Sequence, residues 1–194
     1  MREITTKVYN FDELTDEVKD KAVEKFASDY HDDPWENENR DTLTAFEKSF
    51  PVKVKDWEYG NRNYINFDSL VDENIEEMTG VRLLKYIINN YGSVLFKRKY
   101  LRHMKSGKIV YSKIQTETCC VLTGYYMDDE ILQPIYDFLK KPDKTSTFED
   151  ILNDCLHCWI GACNRNLEYQ NSKEAIIETI EANEYEFDEG GNLV

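Results

Sequence analysis

One stretch, Thr147 to Tyr169 (TFEDILNDCLHCWIGACNRNLEY), restricts the folds open to this chain more than any other. Apolar or small residues recur at Phe148, Ile151, Leu152, Cys155, Leu156, Cys158, Trp159, Ile160, Ala162 and Cys163. They leave one narrow polar stripe through Asp150, Asn153, Asp154, His157, Gly161, Asn164 and Glu168, stepping by three and four. A helix apolar over most of its circumference has to be wrapped by the rest of its domain. Ser146 and Glu149 make an S-x-x-E capping box, which predicts where this helix starts. The stretch is therefore expected to be a central buried helix over 147–169.

The remaining segments supply the wrapping. KVYNF (7–11) reads as a short strand, and Thr15 caps a helix to about Tyr30 with Leu14, Val18, Ala22, Phe26 and Tyr30 inward. His31 to Arg40 is polar and turn-rich, and a helix follows from about Asp41 to Phe50, stopped by Pro51. Val52–Tyr59 and Asn63–Asp68 form a hairpin across Gly60-Asn61-Arg62. The acidic segment from Asp68 to Met78 holds one or two helical turns. Gly80–Tyr91 is a helix with Val81, Leu84, Ile87 and Ile88 inward, terminated by Gly92. A basic hairpin spans 94–114, and Thr116–Tyr126 is a loop or buried edge. Asp128 or Asp129 opens a helix to Lys140 with Pro134 inside, and Ser172–Asn183 is the last helix. The final EYEFD strand is expected beside KVYNF. The expected fold is α+β: a single domain over 1–194, with a small antiparallel or mixed sheet and hairpins packed on several helices around the 147–169 helix. The basic hairpin would protrude from it.

No apolar run approaches the roughly 20 residues of a membrane helix, and the N-terminus lacks the apolar core of a signal peptide, so a cytosolic location is expected. Five cysteines, an odd number, then imply reduced thiols rather than a disulfide framework. The net charge of −14 is unevenly distributed. Residues 78–113 carry nine bases and no acid, while residues 1–77 hold 21 acids against 10 bases. Such acidity repels nucleic-acid backbones and attracts basic protein surfaces, though it also serves solubility alone.

Chemistry-bearing patterns are few. Cys155, His157, Cys158 and Cys163, with Cys119 and Cys120 elsewhere in the chain, have metal-ligand types, but His157 projects about 100° from Cys158 on a helix. Core packing accounts better for these thiols, and no metal or other cofactor is expected. Asp154 and His157 stand three apart, as in a carboxylate-oriented histidine, or as a helix-surface ion pair. His31 with Asp32 and Asp33 reads as a solvated turn. Phosphate-binding glycine loops are absent. The basic hairpin interleaves Phe96, Tyr100 and Tyr111 with Lys and Arg, a mix that suits stacked bases and phosphates.

YNFDELTDEVKDKAVEKF, CCVLTGYYMDDEILQPIYDFL, TFEDILNDC and NSKEAIIETIEANEYEFDEGGNL resemble a group of small proteins of bacteriophages and mobile elements, some antitoxin-like. That group includes anti-CRISPR inhibitors, which bind a Cas effector and block its access to nucleic acid. The resemblance implies a non-enzymatic phage or prophage protein that inhibits a host defence complex. Its partner would be a type II Cas effector (Cas9), with or without guide RNA. An antitoxin-type module neutralising a toxin or nuclease is the alternative, and a nucleic-acid-binding protein using the basic hairpin is a third. The acidic residues expected to meet the partner are Asp29, Asp32, Asp33, Glu36, Glu38, Asp72, Glu73, Glu76, Glu77, Glu184 and Glu186, all but Glu36 and Glu38 within acidic faces at 12–33, 68–77 and 181–189. Lys97, Arg98, Lys99, Arg102 and Lys105 would contact nucleic acid or an acidic partner.

Overall fold

The computed structural model describes residues 7–29, 35–103 and 105–194. In chain order its elements are β1 (Tyr9–Asn10), a 3-10 turn (Phe11–Glu13), α1 (Asp16–Asp29), α2 (Glu36–Ser49), β2 (Val52–Glu58), β3 (Tyr64–Ser69) and α3 (Glu73–Glu76). Next come α4 (Gly80–Leu95), β4 (Lys97–His103), β5 (Ile109–Glu117), α5 (Met127–Lys140), α6 (Phe148–Gln170), α7 (Lys173–Ala182) and β6 (Glu186–Phe187). The fold is α+β as expected, and its strands pair antiparallel as β1–β6, β2–β3 and β4–β5. The residues group into two compact units: 35–164, and the residues before 35 together with 165–194.

The larger unit is organised by α6. Its capping box lies one residue later than Ser146 and Glu149. Thr147 Oγ1 accepts from the Asp150 N–H (3.2 Å), and Asp150 Oδ2 accepts from the Thr147 N–H (2.9 Å). Ser146 is drawn away because its N–H donates to Asp143 Oδ1 (2.6 Å). Both S-x-x-E and T-x-x-D satisfy the reciprocal rule, and the Asp143 turn selects the second. Trp159 is wholly buried. Its indole N–H donates to the Asn39 carbonyl (3.1 Å), and its ring meets Trp57 edge-on at 5.2 Å.

Two helices differ from expectation. α2 begins at Glu36, so residues 36–40 are its first turn rather than loop; Glu36 and Glu38 stand where the helix dipole favours acids. α4 runs through Gly92 to Leu95. A glycine inside a helix costs about 1 kcal/mol, which full burial of Leu95 offsets. The buried face of α4 is Leu83, Ile87 and Leu95, whereas Val81 and Ile88 are exposed. Expected Tyr30 and the turn at 31–34 lie outside the described residues.

A buried carboxylate shapes the loop into α5. Asp128 is fully enclosed. Its Oδ2 accepts from the N–H groups of Leu122 (2.8 Å), Thr123 (2.7 Å) and Gly124 (3.1 Å). Its Oδ1 accepts from the hydroxyls of Thr123 (2.7 Å) and Thr42 (3.2 Å). The resulting turn is a charge-assisted knot.

The smaller unit packs α1 on α7. Ala22, Val23 and Phe26 share a core with Ile176, Ile180, Phe11 and Phe187. Ser172 caps α7, accepting from the Ala175 N–H (3.2 Å). The last turn folds on Asp188, which accepts from the N–H groups of Gly190 (2.8 Å) and Asn192 (2.9 Å). Gly191 has φ +75, and a Cβ there would sit 3.0 Å from the Val18 carbonyl oxygen, so close approach to α1 requires glycine.

Candidate functional site

The smaller unit carries an acidic groove of about 490 Å³. Five carboxylates line it: Asp12 and Glu13 from the 3-10 turn, Glu181 from the last turn of α7, then Glu184 and Glu186. Buried Phe11 and Ile180 and half-buried Tyr185 give it an apolar part. No lining residue is basic. The Phe11 ring also carries the Lys19 ammonium, 5.6 Å from its centroid. Glu13 is partly committed, since its Oε2 accepts from the Asn10 N–H (2.9 Å).

Glu184 occupies an unusual place. The Tyr185 N–H reaches back to the Ile180 carbonyl (3.2 Å) and the Glu184 N–H to the Glu181 carbonyl (3.1 Å). This bond pair closes a helix with one residue in the left-handed conformation, a position strongly enriched in glycine. Glu184 fills it at φ +52. A side chain there costs about 1–2 kcal/mol. The α7 C-terminus, with no base in its last turn, also disfavours a carboxylate. Among the described residues Glu184 has no hydrogen bond or ion pair to its carboxylate. What such an arrangement can do is receive a cationic side chain: an ammonium or guanidinium would meet several carboxylates, with apolar surface for its methylene stem.

Of the acids expected to meet a partner, the structure joins only Glu184 and Glu186 to this groove, with Asp12, Glu13 and Glu181 from the wider acidic faces. Glu36 pairs with Arg40 one turn along α2. Asp72 caps α3, accepting from the Asn74 N–H (2.8 Å), while Glu73, Glu76 and Glu77 are exposed beside it. Glu38 is half-buried. Asp32, Asp33 and the side chain of Asp29 lie outside the described residues.

The basic set is divided as well. The Lys97 ammonium donates to the Cys120 carbonyl (3.0 Å), and Lys105 is exposed in the hairpin turn. The side chains of Arg98, Lys99 and Arg102 lie outside the described residues. In α6, Cys155 and Cys163 are buried among core side chains, and burial pushes the Cys155 thiol well above its ordinary range. The Asp154–His157 ion pair does not form. Instead His157 Nδ1 stands 2.9 Å from the Asn153 carbonyl of its own helix.

Sequence reasoning missed Phe11, Ile180 and Tyr185 as parts of a site. Only the fold places residues 10–13 beside 180–186. It also missed the left-handed Glu184, for which no glycine or asparagine gives a signal. Comparison of the chain with protein-family models, with curated proteins and with solved structures finds no match.

Proposed function

We propose that this chain is a binding protein without a reaction of its own, and that it holds a basic segment of a partner in the acidic groove at 181–186. The carrying observation is Glu184, a carboxylate at a helix end where backbone conformation and dipole both oppose it. Strain of this kind gathers at functional positions, and a partner cation would offset it. The sequence resemblance extends the proposal: the partner is a host defence protein, best matched by a type II Cas effector whose nucleic-acid channel is basic. The acidic groove would compete for that channel.

The test is co-purification of the full chain with the guide-loaded Cas effector. A complex is expected at low salt that weakens as salt rises, since screening shortens the reach of charge to about 8 Å at physiological ionic strength. Reversing the exposed acids together (Glu181→Lys, Glu184→Lys, Glu186→Lys) should weaken it about tenfold or more. Absence of a complex at low salt would defeat the Cas assignment. Capture of a basic toxin or nuclease by the same groove would favour the antitoxin reading. Loss of binding on neutralising Lys97, Arg98, Lys99 and Arg102, with the groove variant unaffected, would defeat the groove itself.

A further inference from the structure

The loop into α5 brings three metal-ligating atoms together, far in sequence from the groove. Cys119 and Cys120 are consecutive, with Sγ atoms 3.5 Å apart. Cys120 Sγ lies 3.9 Å from Asp129 Oδ2. All three ligand atoms fall within 4.8 Å of one another. A tetrahedral zinc with sulfur at about 2.3 Å and oxygen at about 2.0 Å has an S–S edge of about 3.8 Å and an S–O edge of about 3.5 Å. The S–S spacing and the Cys120–Asp129 spacing lie within about 0.4 Å of those edges, and Cys119 Sγ stands within 4.8 Å of the Asp129 carboxylate.

The frame around these atoms is built from the rest of the loop. Cys120 takes the left-handed conformation, φ +48, which sets its side chain beside that of its neighbour. Its N–H donates to Asp129 Oδ1 (2.8 Å), leaving Oδ2 toward the sulfur. This is the outer-shell bond that orients a ligating carboxylate. Asp128 ties down residues 122–124 just beyond. Cys119 is exposed, so solvent reaches the cluster.

We infer that Cys119 Sγ, Cys120 Sγ and Asp129 Oδ2 form a three-ligand site for a thiophilic divalent cation of the zinc class, with a fourth position open to solvent. Two thiolates select zinc or cobalt over magnesium and calcium, which prefer all-oxygen shells. On binding, two S–H bonds break as two S–metal bonds form, and both protons go to solvent. The carboxylate enters already ionised and the metal stays divalent, so no electron is transferred. Lys97, bonded to the Cys120 carbonyl, opposes the incoming charge.

Cobalt(II) titrated anaerobically into the reduced full chain tests this site. We expect one equivalent to give thiolate-to-cobalt charge-transfer bands and tetrahedral d–d bands, with zinc displacing it and magnesium not. Cys119→Ser should abolish the charge-transfer signal or weaken affinity at least about tenfold, and Asp129→Asn should weaken it about tenfold. Cys120→Gly removes a ligand while suiting the left-handed backbone, so it loses the signal without a folding penalty. Cys158→Ser should leave the bands unchanged. The inference fails if the reduced chain gives no thiolate–cobalt bands and the pair merely closes to a disulfide on oxidation. It fails equally if the bands persist in both Cys119→Ser and Cys120→Gly.

Discussion

Asp128 and Glu184 are carboxylates at opposite kinds of helix end, and they are treated in opposite ways. Asp128 sits in the first turn of α5, fully buried, with five donors on its two oxygens. Glu184 follows the last turn of α7, exposed and in a left-handed conformation. The first is a structural anion: dipole and donors replace the water it gave up. The second is opposed by its own surroundings and contributes nothing visible to folding. Net charge alone makes them equivalent, yet one holds a loop and the other is available to a partner.

The largest effect should come from Asp128→Ala. It removes the acceptor of three part-buried N–H groups and two hydroxyls, at a cost of about 3 kcal/mol, read as a lower urea midpoint. Glu184→Gly should go the other way, stabilising the smaller unit by about 0.5–1 kcal/mol while weakening partner capture. A destabilised Glu184→Gly would mean the carboxylate has a folding role, and the contrast with Asp128 would dissolve.

Acid tests a third class of carboxylate, exposed but bonded by its own turn. Backbone and hydroxyl donors of Ser146 and Thr145 hold Asp143 below the usual carboxylate range, those of Thr147 do so for Asp150, and the Asn192 side-chain amide with the backbone N–H groups of Asn192 and Gly190 does so for Asp188. Folded values below the unfolded one, near 3.9, mean stability is fully present above that pH and lost as pH falls through the lowered values. Thermal midpoints should therefore be flat near neutrality and drop below about pH 4, and Asp143→Asn should shrink that drop. The smallest change is expected from Lys173→Ala, which removes an exposed pair with Asp20 and should leave the thermal midpoint almost unchanged.

Periodicity made most helices legible. α1, α5, α6 and α7 repeat their apolar residues at steps of three and four, and the β2–β3 turn announces itself with Gly60. The misplaced ends share a cause: local signals were outvoted by distant packing. Gly92 reads as a stop, but Leu95 has a core to enter. Ser146 reads as a cap, but Asp143 takes its N–H first. The candidate groove was half visible, because Glu184 and Glu186 lie in an evident acidic run, whereas Phe11 and Asp12 come from the other end of the chain. The Asp128 knot was not visible at all, since most of its donors are backbone N–H groups and one hydroxyl comes from Thr42.

The sequence by itself determined the α+β class, the buried α6 and the surplus of negative charge, because patterning and composition are local properties that need no partner segment. Only the tertiary structure decided which carboxylate is enclosed, which is strained and open, and which thiols stand beside Asp129. Those outcomes depend on where backbone donors and helix ends converge, and that convergence exists only once residues far apart in the chain are packed together.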